Sequence, residues 1–185
     1  MIRLASGSET RAKLLREAGI EFIQSPVDFD EEALLHKYRD PKEFVCAAAR
    51  GKLEAAKRRY GLEIPIVAAD TVVAAGNEIL RKARDEKEAL EILRKQSGNK
   101  VDIITCMLYA DKDRTIEDLD TTSYIFAPFD EEDLRRYIAS GEWRGKAGAC
   151  MVEGFCKKYI RQVQGRQSTA MGLQVERLRE IAKDI

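Results

Sequence analysis

Residues 41–75 read PKEFVCAAARGKLEAAKRRYGLEIPIVAADTVVAA, and the hydrophobic period changes once along them. From Pro41 to Arg59 the apolar residues recur at helical spacing, with proline in the first turn, where a helix tolerates it, and Gly61 past the end. From Ile64 to Asp70 the run is apolar and short, which predicts a buried strand. Thr71 to Ala75 and Ile79 to Leu80 then flank Gly76-Asn77, the signature of a two-residue hairpin turn. A helix that feeds a buried strand is the building unit of an α/β domain.

The same alternation continues in both directions. Towards the N-terminus, Ile2 to Ala5 reads as a short strand that runs through Ser6-Gly7-Ser8 into a helix, Glu9 to Ala18, closed at Gly19. Phe22 to Pro26 is extended and leads into an acidic turn, Asp28-Phe29-Asp30-Glu31-Glu32. Towards the C-terminus, Glu86 to Gln96 is helical. Val101 to Ala110 and Thr121 to Ala127 read as strands around a charged loop, Asp111 to Asp120. Asp130 caps a helix that ends at Ser140. The glycine-rich stretch Gly145 to Gly154 is not regular helix, and Gln174 to Lys183 reads as a terminal amphipathic helix. Without repeats, low-complexity segments or a long linker, residues 1–185 are expected to form one α/β domain with a mixed sheet.

Composition narrows the function classes. With 35% charged and 44% hydrophobic residues the chain has the make-up of a soluble globular protein. Its 32 basic and 32 acidic side chains cancel, so no global positive field draws nucleic acid or a membrane surface. The apolar runs are too short to span a bilayer, and MIRLASGSETR lacks a signal core; a cytoplasmic location is the expectation. The cysteines Cys46, Cys106, Cys150 and Cys156 form no CxxC pair. Four reduced thiols are expected, with a Cys150–Cys156 bridge as the alternative. The single histidine, His36, is far from any cysteine in sequence, against a structural zinc site.

Several residues are candidates for chemistry, and each has a plainer explanation. Ser6, Ser8 and Arg11 stand where a strand meets a helix N-terminus, a setting whose free N–H groups suit phosphate; Ser8 also suits a simple N-cap. Asp70 ends an apolar strand, where a carboxylate binds a divalent ion or accepts a proton from water, or merely caps the next segment. Lys52 and Lys82 are phosphate partners or solvated lysines. Glu31 is a metal ligand or part of an exposed turn. Lys146 and Glu153 lie where missing side chains let backbone approach a ligand, or serve a tight bend.

Taken in order, these stretches resemble one family. LASGSETRAKLL is similar to the opening LASxSPRRxELL of the Maf nucleotide pyrophosphatases, also called septum-formation-inhibitor-like proteins. Asp28 to Glu31 resembles their DIDE turn, and Ala48 to Ala56 with Lys52 their AxxKA helix. Ala69-Asp70-Thr71-Val72-Val73 reproduces ADTVV, and Ile79 to Ala83 resembles ILGKP. Ser97-Gly98 with Thr105 fits SGxxxxVxT loosely. Gly141 to Gly154 resembles GEPxDKAGAYxIQG. The matches span residues 1 to about 173.

The resemblance implies a two-lobed α/β fold, a twisted mixed sheet flanked by helices around a central cleft. It also implies hydrolysis of a nucleoside triphosphate to the monophosphate and pyrophosphate, with Mg²⁺ or Mn²⁺. Ser6, Ser8, Arg11 and Glu153 would then meet substrate, Lys52 and Lys82 phosphate, Glu31 metal, and Asp70 metal or the attacking water. No nucleic acid or membrane partner is implied, and a homodimer is left open. A non-catalytic nucleotide-binding regulator of cell division is the alternative, and it has no reason to keep Asp70 and Glu31 together. An inosine-triphosphate pyrophosphatase would open with TxNxxK instead. The chain departs from the family pattern at Glu9, Thr10, Arg81, Ala83, Gly145 and Gln174, none of which removes a required group. Glu153 resembles the branch favouring 7-methyl-GTP, whereas Thr10 and Thr71 depart from that branch, so the resemblance leaves both dTTP or UTP and a modified nucleotide such as 7-methyl-GTP as substrates.

Overall fold

Three aspartates start three of the helices. Asp40 accepts from the backbone N–H groups of Lys42 and Glu43 (2.9 and 3.0 Å) and opens the 20-residue helix Pro41–Tyr60. Asp85 does the same at Glu88 (2.8 Å), and Asp130 at Glu132 and Asp133 (2.9 and 3.0 Å). Each such cap is worth about 1 kcal/mol. The computed structural model describes residues 1–182; of the terminal helix predicted for Gln174–Lys183, Lys183 lies outside the described residues.

In chain order the elements are β1 (Ile2–Leu4), α1 (Glu9–Glu17), β2 (Phe22–Gln24), α2 (Pro41–Tyr60), β3 (Ile66–Ala75) and β4 (Glu78–Leu80). They continue with α3 (Glu86–Gln96), β5 (Lys100–Ala110), β6 (Thr115–Phe126), α4 (Glu131–Ser140), β7 (Ile160–Gln164), α5 (Gln167–Ala170) and α6 (Val175–Ile181). The sheet is mixed: β1 runs parallel to β2 and β3, β4 antiparallel to β3, and β7 antiparallel to β6. Ala75 pairs with Glu78 across Gly76-Asn77, the predicted hairpin. Among the described residues no helix is long and apolar enough to cross a membrane.

The chain forms two compact units. One comprises Met1–Thr71, Ile104–Thr121 and the described residues from Arg166 on; the other comprises Val72–Ile103 and Thr122–Gly165. In the first unit the strand order is β2-β1-β3-β5-β6. Ala12, Leu14 and Leu15 of α1 and Val175, Leu178 and Ile181 of α6 bury their apolar stripes against Leu4, Val67, Ala69, Met107 and Tyr109. Fully burying a side chain of this kind stabilises by about 1.5–3 kcal/mol. In the second unit, Phe129, Tyr137, Phe155 and Tyr159 form an aromatic cluster with ring centroids 4.5 to 5.5 Å apart.

Four features differ from the sequence reading. Ile66–Ala75 is one strand, so Asp70 lies inside it and does not cap a following segment. Most of the expected loop Asp111–Asp120 is strand, since β6 begins at Thr115. Its burial alternates, Ile116, Asp118 and Asp120 half-buried between exposed neighbours, but two of the three inward residues are acidic, which hid the period of two. The segment after Gly154 folds into a 3₁₀ turn, Phe155–Tyr159, and then β7. Finally, the cysteines are not all free. Cys150 and Cys156 are bonded across a separation of six residues, and only Cys46 and Cys106 are thiols. Ala149, the residue just before Cys150, is in the left-handed region at φ 57°.

Candidate active site

Asp70 and Thr71 are neighbours in β3, so their side chains leave opposite faces of the strand. Each meets a different helix. Asp70 accepts from Nζ of Lys52 on α2, and Thr71 accepts from Nη2 of Arg11 on α1 (3.1 Å). Two adjacent residues thus divide the candidate groups into two clusters, both inside the first unit.

The first cluster is acidic. Lys52 Nζ contacts Asp70 and also Glu31 Oε2 (2.6 Å); the side chains of Lys52, Asp70 and Glu31 are 19%, 7% and 44% exposed. Glu31 reaches the lysine because Phe29 packs on α2 at Gly51. A Cβ at Gly51 would lie 2.0 Å from Phe29 Cζ, far inside the closest approach of two non-bonded carbons. Glycine inside a helix costs about 1 kcal/mol relative to alanine, and here it lets the acidic turn lie against the helix. Asp70 Oδ2 is buried and has no hydrogen-bond donor among the described residues, an arrangement that normally costs about 1–3 kcal/mol. Burial pushes the Asp70 carboxyl above its ordinary value; Lys52 pulls it down and Glu31 pushes it up again.

The second cluster is a chain of hydroxyls. Ser8 caps α1, accepting from Arg11 N–H (3.3 Å), so its plainer reading holds. Ser6 Oγ accepts from the Ser8 N–H and from Arg11 Nη1 (both 3.2 Å). Arg11 also donates through Nε to the Gly172 carbonyl (2.8 Å). Thr105 Oγ1 donates to the Thr169 carbonyl (2.8 Å) and lies 2.8 Å from Thr71 Oγ1. A hydroxyl has a single proton, so Thr105 can only accept from Thr71. The direction is fixed: Arg11 to Thr71 to Thr105 to the Thr169 carbonyl. Thr169 in turn donates to Asp120 Oδ2 (2.6 Å). Gly172, at φ +102°, admits this approach; a Cβ there would sit 3.2 Å from Thr71 Oγ1 and 3.3 Å from Arg11 Nε. Burial lowers the Arg11 guanidinium below its ordinary value, against the pull of Asp70 and Glu31.

Lys82 and Glu153 belong to the second unit. Lys82 is exposed and forms an antiparallel bridge with Ala147. The Gly148 N–H donates to the Arg81 carbonyl (3.2 Å), while buried Gln96 and Tyr137 donate to the Gly148 and Ala149 carbonyls (2.5 and 2.8 Å). The glycine-rich segment is therefore tied down by backbone pairing and two buried side chains. Glu153 is exposed, lies between the bonded Cys150 and Cys156, and its charge adds to the burial that raises the Tyr124 phenol.

The structure thus gathers Ser6, Ser8 and Arg11 in one cluster and Glu31, Lys52 and Asp70 in the other. The sequence reading missed Thr105 as a relay member, together with Thr169, Asp120, Gly172, Phe29 and Gly51. Of these, Phe29, Gly51 and Thr105 lay within stretches matched to family motifs, and none was singled out there for chemistry.

A mixed-sheet α/β protein that sets a buried and a half-exposed carboxylate around one lysine, beside an arginine at a capped helix start, has the groups that suit phosphate and a divalent ion. Residues 1–185 match the family profile described as Maf-like protein. A protein of Nitratiruptor sp. named nucleoside triphosphate pyrophosphatase is 78% identical over 185 residues, covering all of both chains. Proteins of the same name from Helicobacter pylori (strain J99) and Campylobacter jejuni are 42% and 36% identical, covering 95% and 97% of this chain and 91% and 98% of their own. A crystal structure titled nucleoside-triphosphatase / dITP/XTP pyrophosphatase, from Mycobacterium abscessus, aligns with TM-score 0.42 and 13% identity over 98% of this chain and 93% of its own. The chain belongs to the Maf-like protein family.

Proposed function

We propose that this protein hydrolyses a nucleoside triphosphate at the α phosphorus, releasing the monophosphate and pyrophosphate. The observation that carries the reading is Lys52 held between Asp70 and Glu31, with one Asp70 oxygen buried and lacking a donor among the described residues. A lysine shared by two carboxylates can turn to a phosphate oxygen without leaving either carboxylate stranded when a cation replaces it. The names borne by the relatives support the same reaction.

The carboxylates fit a hard divalent ion such as Mg²⁺ or Mn²⁺, because both offer oxygen and Asp70 Oδ2 has no hydrogen-bond donor among the described residues. Glu31 and Asp70 would hold that ion, which when bound neutralises triphosphate charge. Asp70 orients a water molecule and takes its proton as the oxygen bonds to the α phosphorus. The bond from that phosphorus to the bridging oxygen breaks, and its electron pair leaves with pyrophosphate. Arg11, fixed by Ser6, Thr71 and Gly172, presents positive charge beside the capped start of α1, where phosphate is favoured. Lys82 is assigned to phosphate and Glu153 to the base.

Within this reaction the preferred substrates are dTTP and UTP. A buried carboxylate would reject a base that presents a carbonyl acceptor, but the Glu153 side chain is exposed and water satisfies it. Thr71 departs from the glutamine of the 7-methyl-GTP branch that the sequence partly resembles, and this weighs towards pyrimidine triphosphates. The test is pyrophosphate detection across a panel of triphosphates with Mg²⁺ or Mn²⁺. Monophosphate and pyrophosphate in equal amounts are expected. Orthophosphate with a diphosphate product, from protein free of contaminating pyrophosphatase, would overturn the assignment.

A further inference from the structure

Helix α2 carries a second polar cluster that the proposed reaction does not use. Cys46 lies on α2 six residues before Lys52, and Arg50 follows it by one turn on the same face. Cys106 is on β5 and Glu117 on β6. Among the described residues these three form one group whose ligand atoms, the two sulfurs and a carboxylate oxygen, all lie within 4.8 Å of one another. Cys106 is adjacent to Thr105, and since side chains alternate along a strand it leaves the opposite face from the hydroxyl chain.

We propose that Cys46, Cys106 and Glu117 form a binding site for a thiophilic divalent cation of the zinc or cadmium type, distinct from the oxygen-only pair Glu31 and Asp70. Three considerations lead there. The first is spacing: sulfurs around a tetrahedral zinc ion are roughly 3.7 Å apart, given bonds of about 2.3 Å, and side-chain adjustment within the observed limit reaches that value. The second is ligand type, because two sulfurs and one carboxylate suit zinc or cadmium, whereas Mg²⁺ and Mn²⁺ prefer oxygen alone.

Charge is the third. Arg50 holds Glu117 through two hydrogen bonds of 2.6 Å each, so the carboxylate is oriented before any ion arrives. Two thiolates, one carboxylate, a divalent ion and the Arg50 guanidinium sum to zero, the neutral balance that a buried site requires. An ion can approach from the Glu117 side, whose side chain is 32% exposed, while both cysteines are buried.

Burial pushes both thiols above their ordinary range, and Glu117 pushes in the same direction. A cysteine thiol carries its proton at neutral pH in any case, so the free site holds two S–H groups. Binding exchanges two S–H bonds for two metal–sulfur bonds and releases two protons to solvent. Apparent affinity should then rise about a hundredfold per pH unit while both thiols remain protonated in the free protein.

The experiment is an anaerobic Cd²⁺ titration of the full chain carrying Cys150→Ser and Cys156→Ser, which removes the other two sulfurs. Ultraviolet thiolate-to-cadmium absorption, proton release and the thermal midpoint are followed. One equivalent bound, about two protons released and a raised midpoint are expected. Cys46→Ser or Cys106→Ser added to that background should abolish the absorption and the midpoint shift, and Cys46→Ala or Cys106→Ala replaces any serine variant that does not fold. Glu117→Gln should keep the absorption and weaken binding. Two results overturn the proposal: no absorption change in a folded background whose two thiols titrate fully after unfolding, or absorption that persists when either cysteine is replaced.

Discussion

Two lysine–aspartate pairs with opposite electrostatics illustrate what burial does to the same chemistry. In the first unit Lys52 meets Asp70, whose side chain is 7% exposed; in the second Lys158 meets Asp133, 23% exposed and also hydrogen-bonded by Tyr159. Lys158 and then Tyr159 hold the Asp133 carboxyl below its ordinary value. At Asp70 desolvation outweighs the lysine and Glu31 adds a like charge, so the carboxyl is raised. A pair near solvent tethers the 3₁₀ turn to α4. The pair inside β3 leaves one oxygen without a hydrogen-bond donor among the described residues, and that makes it a candidate for chemistry.

The largest expected difference follows directly. Asp70→Asn should lower pyrophosphate release by about 10²–10⁴-fold, because the amide neither accepts a proton nor neutralises a cation. Asp133→Asn should leave kcat/KM unchanged. Similar losses in the two variants would erase the functional side of the comparison.

Gly51→Ala sharpens it by disturbing the third member, Glu31, which the exposed pair lacks. The new methyl must displace Phe29. Overpacking of this kind costs about 1–3 kcal/mol, set against roughly 1 kcal/mol gained in helix propensity. A lower urea midpoint and weaker Mn²⁺ activation are expected together, whereas unchanged values for both would show that the ring moves freely.

Glu153→Gln asks whether an exposed carboxylate can still matter. It should shift relative kcat/KM further towards dTTP and UTP over GTP and 7-methyl-GTP, by roughly ten-fold. If the ranking stays the same in two active proteins, Glu153 does not read the base.

The smallest effect is one of sign. The stabilisation from Asp133 is present above the ordinary aspartate range and is lost as pH falls through its depressed value. For Asp70 in cation-free protein, stability instead declines as pH rises from the ordinary range through the raised value. At neutral pH without divalent cation, Asp133→Asn should therefore lower the thermal midpoint and Asp70→Asn should leave it equal or higher. A lower midpoint for Asp70→Asn would make that carboxylate a net structural support.

The sequence was most informative where local signals agreed with the tertiary structure. Asp130 as a cap, the Gly76-Asn77 hairpin and the switch from α2 to β3 each follow from a few adjacent residues. The acidic start of β6 was illegible because its inward aspartates are satisfied by distant partners: Asp120 by Thr169, and Asp118 by Arg177 at 3.7 Å. No local pattern announces such pairing. The same holds for the hydroxyl chain, whose members at 71, 105 and 169 meet only after folding, and for the Cys150–Cys156 bond. Candidate residues Ser8, Arg11, Lys52 and Asp70 were found by motif, but their division between two faces of β3 required coordinates.

The Phe29 ring occupies the space that a β-carbon at position 51 would need. Volume at the two positions is in effect one quantity shared across 22 residues of chain. Among relatives, an alanine or serine at 51 should accompany a smaller residue at 29, and a bulky aromatic at 29 should accompany glycine at 51. Drift at this pair is thereby confined to coordinated exchanges, which keeps Glu31 within reach of Lys52 while the surrounding surface is free to vary.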